Sequence, residues 1–451
     1  MSKKKVKKKN AGPPKPKIRI SQCMIVKNEE KNIEKALGWA KSVAYEQIVV
    51  DTGSSDKTVE IAKRMGARVY HFEWINDFAA AKNYAIEQAE GNWIAFLDAD
   101  EYLTDEGAKT MAALLKKLYN EPEMREKNLA VNCPWVQLDD QGTAFAVDDQ
   151  IRLFRNVPSI RYVGKIHEKL SLVAENVVRT NNISIMHTGY SRTSYQETDK
   201  AERNLELLRR ELAERPDDLD LKVYLADSLR AKAREDGPVE GVVSENEAAA
   251  LYAEVAGSTG IIDAMLNKKA HLYTVDKSVR SGKTVWECEK ICDRALSAFP
   301  DDIDFMYYLS MIMNRKGDFL KAKGLLEKCE EKLVKATSIY ESDLVAVKPM
   351  LMYHEKVIAS EGLGDTAGCI KYATMILMED KTQQEILRPY IATMINHGTS
   401  EDDLMGLLGK MYDINDPSDL VLIARAAKDC GAISFAKFTA NMAKRAMEKR
   451  E

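Results

Sequence analysis

Two aspartates one residue apart follow the apolar run 93–97. Asp98 and Asp100 flank Ala99 directly after Trp-Ile-Ala-Phe-Leu. Carboxylates this close repel each other unless a divalent cation lies beside them, and Mg²⁺ and Mn²⁺ prefer oxygen ligands such as carboxylates and phosphates. Because open α/β sheets bind ligands at the carboxyl ends of their strands, the pattern indicates a metal-bound phosphorylated ligand there. Two solvated loop acids are the alternative.

The residues before this pair alternate between strand and helix patterns. Apolar or β-branched stretches predict strands over 18–26, 47–50, 68–72 and 93–97. Helical segments lie between them, and Asn76 or Asp77 is expected to cap the last one, over 78–89. This alternation predicts an α/β fold with a parallel sheet covered by helices.

The turn after the first strand excludes two common nucleotide sites. It reads Val26-Lys27-Asn28-Glu29-Glu30 and contains no glycine. A dinucleotide-binding Rossmann turn needs closely spaced glycines there, and a P-loop needs a glycine-rich turn ending in Gly-Lys-Ser/Thr. Classical NAD binding and P-loop ATPase activity are therefore poorly supported.

Seven short motifs carry a family resemblance. They lie at 23–30, 50–58, 77–83, 96–101, 152–156, 164–168 and 187–190. In order and spacing they resemble the family 2 glycosyltransferases, whose nucleotide-sugar-binding fold is called GT-A. The resemblance covers roughly residues 18–190.

The resemblance implies roles in binding a nucleotide-sugar donor, expected to be a UDP-sugar. Asp51 would accept hydrogen bonds from the uracil or ribose, and Lys82 would face the nucleobase or diphosphate, although the family more often has arginine there. Asp98 would touch the ribose or the metal, and Asp100 would coordinate Mg²⁺ or Mn²⁺ at the diphosphate. The same motifs add Val26, Asn28, Glu29 and Ala99 to the expected nucleotide-sugar contacts.

Three basic residues in the later motifs each have two alternative roles. His187 is expected to complete the metal shell or contact the diphosphate, and a structural histidine is the alternative. Arg152 and Arg155 lie on a predicted half-buried strand. They either hold the diphosphate or form the solvated face of that strand.

The resemblance also implies an inverting reaction, which needs a carboxylate base beside the acceptor. Glu168, in the Ile-His-Glu motif, is the expected base, and Asp148 and Asp149 are the next candidates. The alternative for Glu168 is an ion pair with Lys165 or Arg161.

The chain changes character after Tyr190, where glycines become sparse and apolar spacing becomes helical. Residues 302–329 resemble a tetratricopeptide repeat, with Gly317 at the helix turn and Ala322 and Leu326 at packing positions. Weaker copies begin near 218, 351 and 420, with the helix at 218–229 paired to one at 247–256. The predicted domains are a disordered tail at 1–17, a GT-A domain at 18–195 and a helical repeat region at 196–451. An all-α bundle without repeat geometry is the alternative.

Composition limits the remaining possibilities. The formal net charge is −4, and the first 17 residues hold eight lysines and no acid, so the rest of the chain is acidic and no nucleic-acid binding is expected. The tail would be solubilising or make weak contact with an anionic membrane. No apolar run suits a signal peptide or a membrane span, so a cytoplasmic protein is expected. Cys288 and Cys292 are expected in a core rather than at zinc.

An enzyme is favoured over a non-catalytic interaction scaffold. A family 2 domain followed by helical repeats is similar to the peptide glycosyltransferases that modify bacteriocin precursors and to some flagellin-modifying enzymes. Such repeats form surfaces that bind polypeptide, so a peptide or protein acceptor is expected. All expected donor contacts precede residue 195. A cell-envelope saccharide is the alternative acceptor, and the oligomeric state, including a homo-oligomer, is open.

Overall fold

The computed structural model describes residues 17–125, 127–188, 200–335, 344–346 and 348–448. The Lys-rich tail up to residue 16, the end of the motif at 187–190 and the predicted boundary after residue 195 lie outside these residues. The chain divides into two compact units, one ending at Lys232 and the other beginning at Ala233. The helical residues 200–232 therefore pack with the first unit.

The first unit is built on one mixed β-sheet. Its strands are β1 (Ile20–Val26), β2 (Glu46–Asp51), β3 (Arg68–His71), β4 (Trp93–Phe96), β5 (Glu101–Tyr102), β6 (Ala130–Leu138), β7 (Ala144–Arg155), β10 (Val177–Arg179) and β11 (Ile185–His187), while β8 (Tyr162–Val163) and β9 (Lys169–Leu170) form a separate ribbon. The order across the sheet is β3-β2-β1-β4-β7-β6-β11-β5, with β10 beside β6.

The predicted parallel sheet accounts for only part of this order. Strands β1 to β4 pair in parallel. The side chains of β1, β2 and β4 are largely buried, as expected for a sheet covered on both faces, whereas those of the edge strand β3 are partly exposed. Strand β7 then runs antiparallel to both β4 and β6. The short strand β5 pairs antiparallel with β11, and in this pairing His187 lies opposite Glu101. This pairing brings the histidine motif beside the Asp98–Asp100 turn.

Helices connect and cover these strands. They are α1 (Ile33–Gly38), α2 (Thr58–Arg64), α3 (Phe78–Glu87), α4 (Asp105–Asn120), α5 (Pro122–Arg125), α6 (Lys200–Glu214) and α7 (Leu219–Glu240), which is irregular at Gly237. Helix α3 begins as predicted, because the Asp77 carboxylate accepts a hydrogen bond of 2.8 Å from the Ala80 N–H.

The second unit is helical throughout its described residues. Its helices are α8 (Val242–Gly257), α9 (Ala264–Arg280), α10 (Val285–Ala298), α11 (Ile303–Lys316), α12 (Phe319–Lys335), α13 (Met350–Gly362), α14 (Thr366–Glu379), α15 (Gln384–Asn396), α16 (Glu401–Leu408), α17 (Pro417–Asp429) and α18 (Ile433–Glu448). Consecutive helices from α8 to α15 pack on each other, and α9, α11 and α13 also contact the helix two places on. The predicted all-helical region is confirmed.

The best repeat candidate forms the hairpin of α11 and α12. Gly317 ends α11 with a φ of 82°, and Ala322 and Leu326 are fully buried, as the pattern predicts. Helix α8, predicted to partner the helix at 218–229, packs most extensively on α9. The tetratricopeptide geometry itself stays a prediction.

Two further sequence expectations concern buried thiols and membranes. Cys288 and Cys292 lie in the core of the second unit, as predicted, and each thiol lies 3.4 Å from a backbone carbonyl oxygen. Across the described ranges, every helix is too short or too polar to cross a bilayer.

Gly91 is a position where the sheet leaves no room for a side chain. Its N–H donates to the Ser21 hydroxyl at 2.9 Å, and an added Cβ would lie 2.4 Å from that oxygen and 2.8 Å from the Arg19 carbonyl oxygen. We expect Gly91→Ala to destabilise the first unit by about 1–3 kcal/mol, because backbone must move to relieve the overlap. Urea unfolding followed by tryptophan fluorescence measures this, since four of the five tryptophans lie before Ala233.

Gly38→Ala is the matched control, because a Cβ there has no neighbour within 4 Å. It ends a helix and should leave stability unchanged or raise it by up to ~1 kcal/mol. Equal midpoints for the two variants would contradict the close approach at Gly91.

Candidate functional site

A pocket of about 580 Å³ opens in the first unit beside the carboxyl ends of β1, β2 and β4. This volume is in the range of small-molecule sites. Of the residues singled out in the sequence, the pocket is lined by Val26, Glu29, Lys82, Asp98, Ala99, Asp100, Arg152, Glu168 and His187. Thr52 of the motif at 50–58 also lines it, so the fold gathers residues from all seven motifs around one cavity.

Asp98 lies between two cations. One carboxylate oxygen is 3.2 Å from the Lys82 Nζ, and the other accepts a hydrogen bond of 3.1 Å from the Arg152 guanidinium. Lys82 reaches it from α3 and is only 3% exposed. Arg152 comes from β7 where the pairing with β6 shifts register, and such a bulge re-aims the side chain it carries.

Arg152 is held in turn by Glu101, which is 1% exposed. The guanidinium donates to both Glu101 carboxylate oxygens, at 2.7 and 3.0 Å, and the Trp135 indole N–H donates to the same group at 2.8 Å. Glu101 lies inside the motif at 96–101, but no role was predicted for it from the sequence. An acid directly after the Asp-x-Asp pair was the available signal, but its arginine partner lies 51 residues away.

These contacts keep the buried groups charged. Burial raises the pKa of the Asp98 carboxyl, but the charges of Lys82 and Arg152 outweigh this effect and hold the pKa well below its usual range. Burial lowers the pKa of Lys82, yet Asp98 and Glu168 raise it above the ordinary value. The two cations and Asp98 are therefore ionised at neutral pH.

Asp100 and His187 face each other at another part of the wall. The His187 Nε2 is 3.5 Å from an Asp100 carboxylate oxygen, and the His187 Nδ1 is 2.6 Å from the Gln137 Oε1. Because an amide oxygen only accepts, Nδ1 carries a ring hydrogen, and Nε2 is the ring nitrogen that faces Asp100. Gln137 and Trp135, whose ring is tilted 32° from the imidazole with centroids 4.3 Å apart, were not found from the sequence.

Glu168 forms an ion pair, though not with either residue considered from the sequence. Its carboxylate is 2.8 Å from the Lys82 Nζ. Lys165 pairs instead with Glu211 and Glu214, and the Arg161 guanidinium donates to backbone carbonyls. Lys82 thus bridges Glu168 and Asp98.

Asn28 and Asp51 are beside the pocket rather than on its wall. Asn28 adopts a φ of 58° and its side-chain oxygen accepts from the Ser55 N–H. The Asp51 carboxylate accepts from the backbone N–H groups of Gly53 and Ser54 and lies 3.5 Å from the His71 Nδ1. Thr52, the next residue, does line the cavity.

The structure does not bring Arg155 or the alternative bases to the pocket. Arg155 pairs with Trp93 at the start of β4, the opposite strand end from Asp98, and lies against the rings of Trp93 and Tyr119. Asp148 and Asp149 are exposed on β7 outside the lining. Arg155 is three positions along β7 from Arg152, which is enough to carry it to the far end of the short strand β4.

Part of the pocket wall was not predicted. Trp74 and Phe78, whose ring centroids are 4.8 Å apart, line one side. Helices α6 and α7 add Arg203, Asn204, Asp227 and Ser228, all beyond residue 195. Polar residues on distant helices leave no local signal, so spacing alone could not assign them to this cavity.

Comparisons with known proteins agree with this architecture. Residues 21–121 match the family model for glycosyl transferase family 2. A TPR repeat-containing protein of Synechococcus elongatus is 34% identical over 236 residues, 49% of this chain and 54% of that protein. The SPbeta prophage-derived glycosyltransferase SunS of Bacillus subtilis is 30% identical over 195 residues, 42% of this chain and 44% of that protein.

The chain thus spans about half the length of these curated relatives. Among solved structures, S. aureus TarS 1-349 in complex with UDP-GlcNAc covers 66% of this chain and 92% of that chain, at 14% identity and a TM-score of 0.33. That score is too low to bear on the site. Residues 21–121 therefore form, on this mixed sheet, a region that matches the family 2 glycosyltransferases, and an all-helical region follows the sheet in the chain.

Proposed function

We propose that this protein is an inverting, divalent-metal-dependent glycosyltransferase that moves a sugar from a UDP-sugar to a peptide or protein. One observation carries the proposal. In a domain that matches family 2, Lys82, Asp98, Asp100, Arg152 and His187 line a single cavity at the strand ends. This combination of fixed cations and available metal ligands suits a diphosphate-linked donor.

The donor would lie along the ends of β1, β2 and β4. Lys82 and Arg152 supply positive charge for a diphosphate, and both are held in place by carboxylates before any ligand binds. Prepositioned charges lose little on binding, which favours developing negative charge on the leaving group. The loop from Asp51 to Thr52 would meet the nucleoside.

Asp100 and His187 are the residues that would hold the metal. Their donor set fits, because a carboxylate oxygen and an imidazole Nε2 face each other at 3.5 Å and Gln137 orients the ring. In the described part of the chain, no three His, Cys, Asp or Glu side chains cluster as metal ligands, so diphosphate and water would complete the shell. A bound Mg²⁺ or Mn²⁺ would act as a Lewis acid toward the departing diphosphate.

Glu168 would take the proton from the acceptor as it attacks the anomeric carbon from the side opposite the diphosphate. It lines the cavity, whereas Asp148 and Asp149 do not. Its 2.8 Å pair with Lys82 links the base to the donor site.

The acceptor would be a polypeptide recognised with the help of the helical region. Helices that pack successively on one another, as α8 to α15 do, form extended surfaces suited to peptide binding. A cell-envelope saccharide is the competing acceptor.

The two acceptors can be distinguished by incubating labelled UDP-sugars with the protein and an extract of the source organism. We expect label in acid-precipitable material that protease digestion releases, because a polypeptide carries the sugar. Label confined to the lipid-extractable fraction would overturn the peptide assignment in favour of a saccharide carrier. No transfer or hydrolysis of any UDP-sugar would contradict the enzyme itself.

Replacing the proposed base tests the chemistry. Glu168→Gln keeps size and polarity but cannot accept a proton, so kcat should fall at least ~10²-fold with little change in UDP affinity. Steady-state kinetics and calorimetry with UDP measure the two effects. Glu175→Gln, an exposed glutamate of the same unit, is the control. Should Asp148→Asn reproduce the loss while Glu168→Gln remains active, Glu168 is not the base.

A further inference from the structure

The segment 164–169, which carries Glu168, is held by two helices that follow the sheet. The Lys165 Nζ lies 2.6 Å from the Glu211 carboxylate and 2.8 Å from that of Glu214, both on α6. The Lys169 Nζ lies 3.1 Å from the Asp220 carboxylate on α7. Side chains on both sides of Glu168 are therefore tied to helices outside the sheet.

One aromatic ring contacts both neighbours of Glu168. The Tyr224 ring on α7 stacks on His167 with centroids 4.0 Å apart and planes 10° from parallel. The Lys169 Nζ lies 5.8 Å from the same ring's centroid, within the range of a cation–π contact. Tyr224 is one turn of helix from Asp220, so a single face of α7 meets the residues before and after Glu168.

The backbone at His167 requires such support. Its φ of 50° is in the left-handed region that residues with a side chain rarely adopt. Conformations of this kind persist only where surrounding contacts determine them. On the other side of the segment, the Phe78 N–H donates to the Lys165 carbonyl at 2.9 Å and Lys82 pairs with Glu168, both from α3. The segment is fixed between α3 and α7.

We propose that Tyr224 is a positioning residue for Glu168, acting through its stack on His167, and that helices α6 and α7 belong to the catalytic unit. This inference rests on the proposed role of Glu168 as the base. It goes beyond the sheet motifs, because Tyr224 lies outside the matched residues 21–121. Loss of the ring would free His167 to leave its unfavourable backbone conformation, and the Glu168 carboxylate would move with it.

Tyr224→Ala and Tyr224→Phe in the full-length chain test the inference by two readouts. For Tyr224→Ala we expect faster amide hydrogen exchange in 164–169 and a fall in kcat of about 10²-fold, with UDP affinity unchanged, since small misplacement of a catalytic group has this effect. Tyr224→Phe keeps the flat ring and should restore both values. Tyr45→Ala, which removes a half-exposed tyrosine elsewhere in the unit, is the control.

Unchanged exchange in 164–169 and unchanged kcat in Tyr224→Ala would overturn the inference, even if Glu168→Gln is inactive. Failure of Tyr224→Phe to restore kcat would also overturn it, because the stack would then not be the cause. A segment that loosens in Tyr224→Ala, in a protein whose wild type turns over no UDP-sugar, would instead refute the proposed function and with it any catalytic role for this contact.

Discussion

The first unit depends on how two buried cations pair with three carboxylates. Lys82 pairs with Asp98 and Glu168, and Arg152 pairs with Asp98 and Glu101. Buried charges are costly unless each has a partner and hydrogen bonds, and removal of one member of such a set leaves another uncompensated. The network therefore joins α3, the end of β4, strand β7 and the 164–169 segment into one arrangement. Any ligand in the cavity meets charges whose positions are already set.

This arrangement separates the tasks of the two strand-end aspartates. Asp98 is occupied by Lys82 and Arg152, which leaves its neighbour Asp100 to face the imidazole of His187. His187 follows Asp100 by 87 positions in the chain. The pairing of β5 with β11 brings the two residues together, because it places His187 opposite Glu101, the residue after Asp100. In our proposal Asp98 organises the cations and Asp100 offers a metal ligand, so the Asp-x-Asp pair does not act as a single chelate.

Local patterns predicted much of this unit and missed what depends on distant contacts. The alternation of apolar strands and amphipathic helices predicts β1 to β4, and the motifs there supply Lys82, Asp98 and Asp100 to the cavity lining. The partner of Glu168 was wrong because Lys82 is far away in sequence, whereas Lys165 and Arg161 are close. Arg155 was grouped with Arg152 because the two are close in sequence, although they lie toward opposite ends of the neighbouring strand β4. The pocket residues on α6 and α7 could not be predicted, because the spacing of residues in the sequence does not show how these helices pack.

The most direct test is a calorimetric titration of UDP, with and without Mn²⁺, into the wild type, Asp100→Ala and the exposed control Asp105→Ala. We expect UDP to bind the wild type and the control more tightly with Mn²⁺. Asp100→Ala should lose this metal-dependent gain and remain folded, and ADP and NAD should bind the wild type more weakly than UDP. Binding of NAD without UDP, or an Asp100→Ala variant with the full Mn²⁺ effect, would contradict a metal-assisted nucleotide-sugar site at these strand ends.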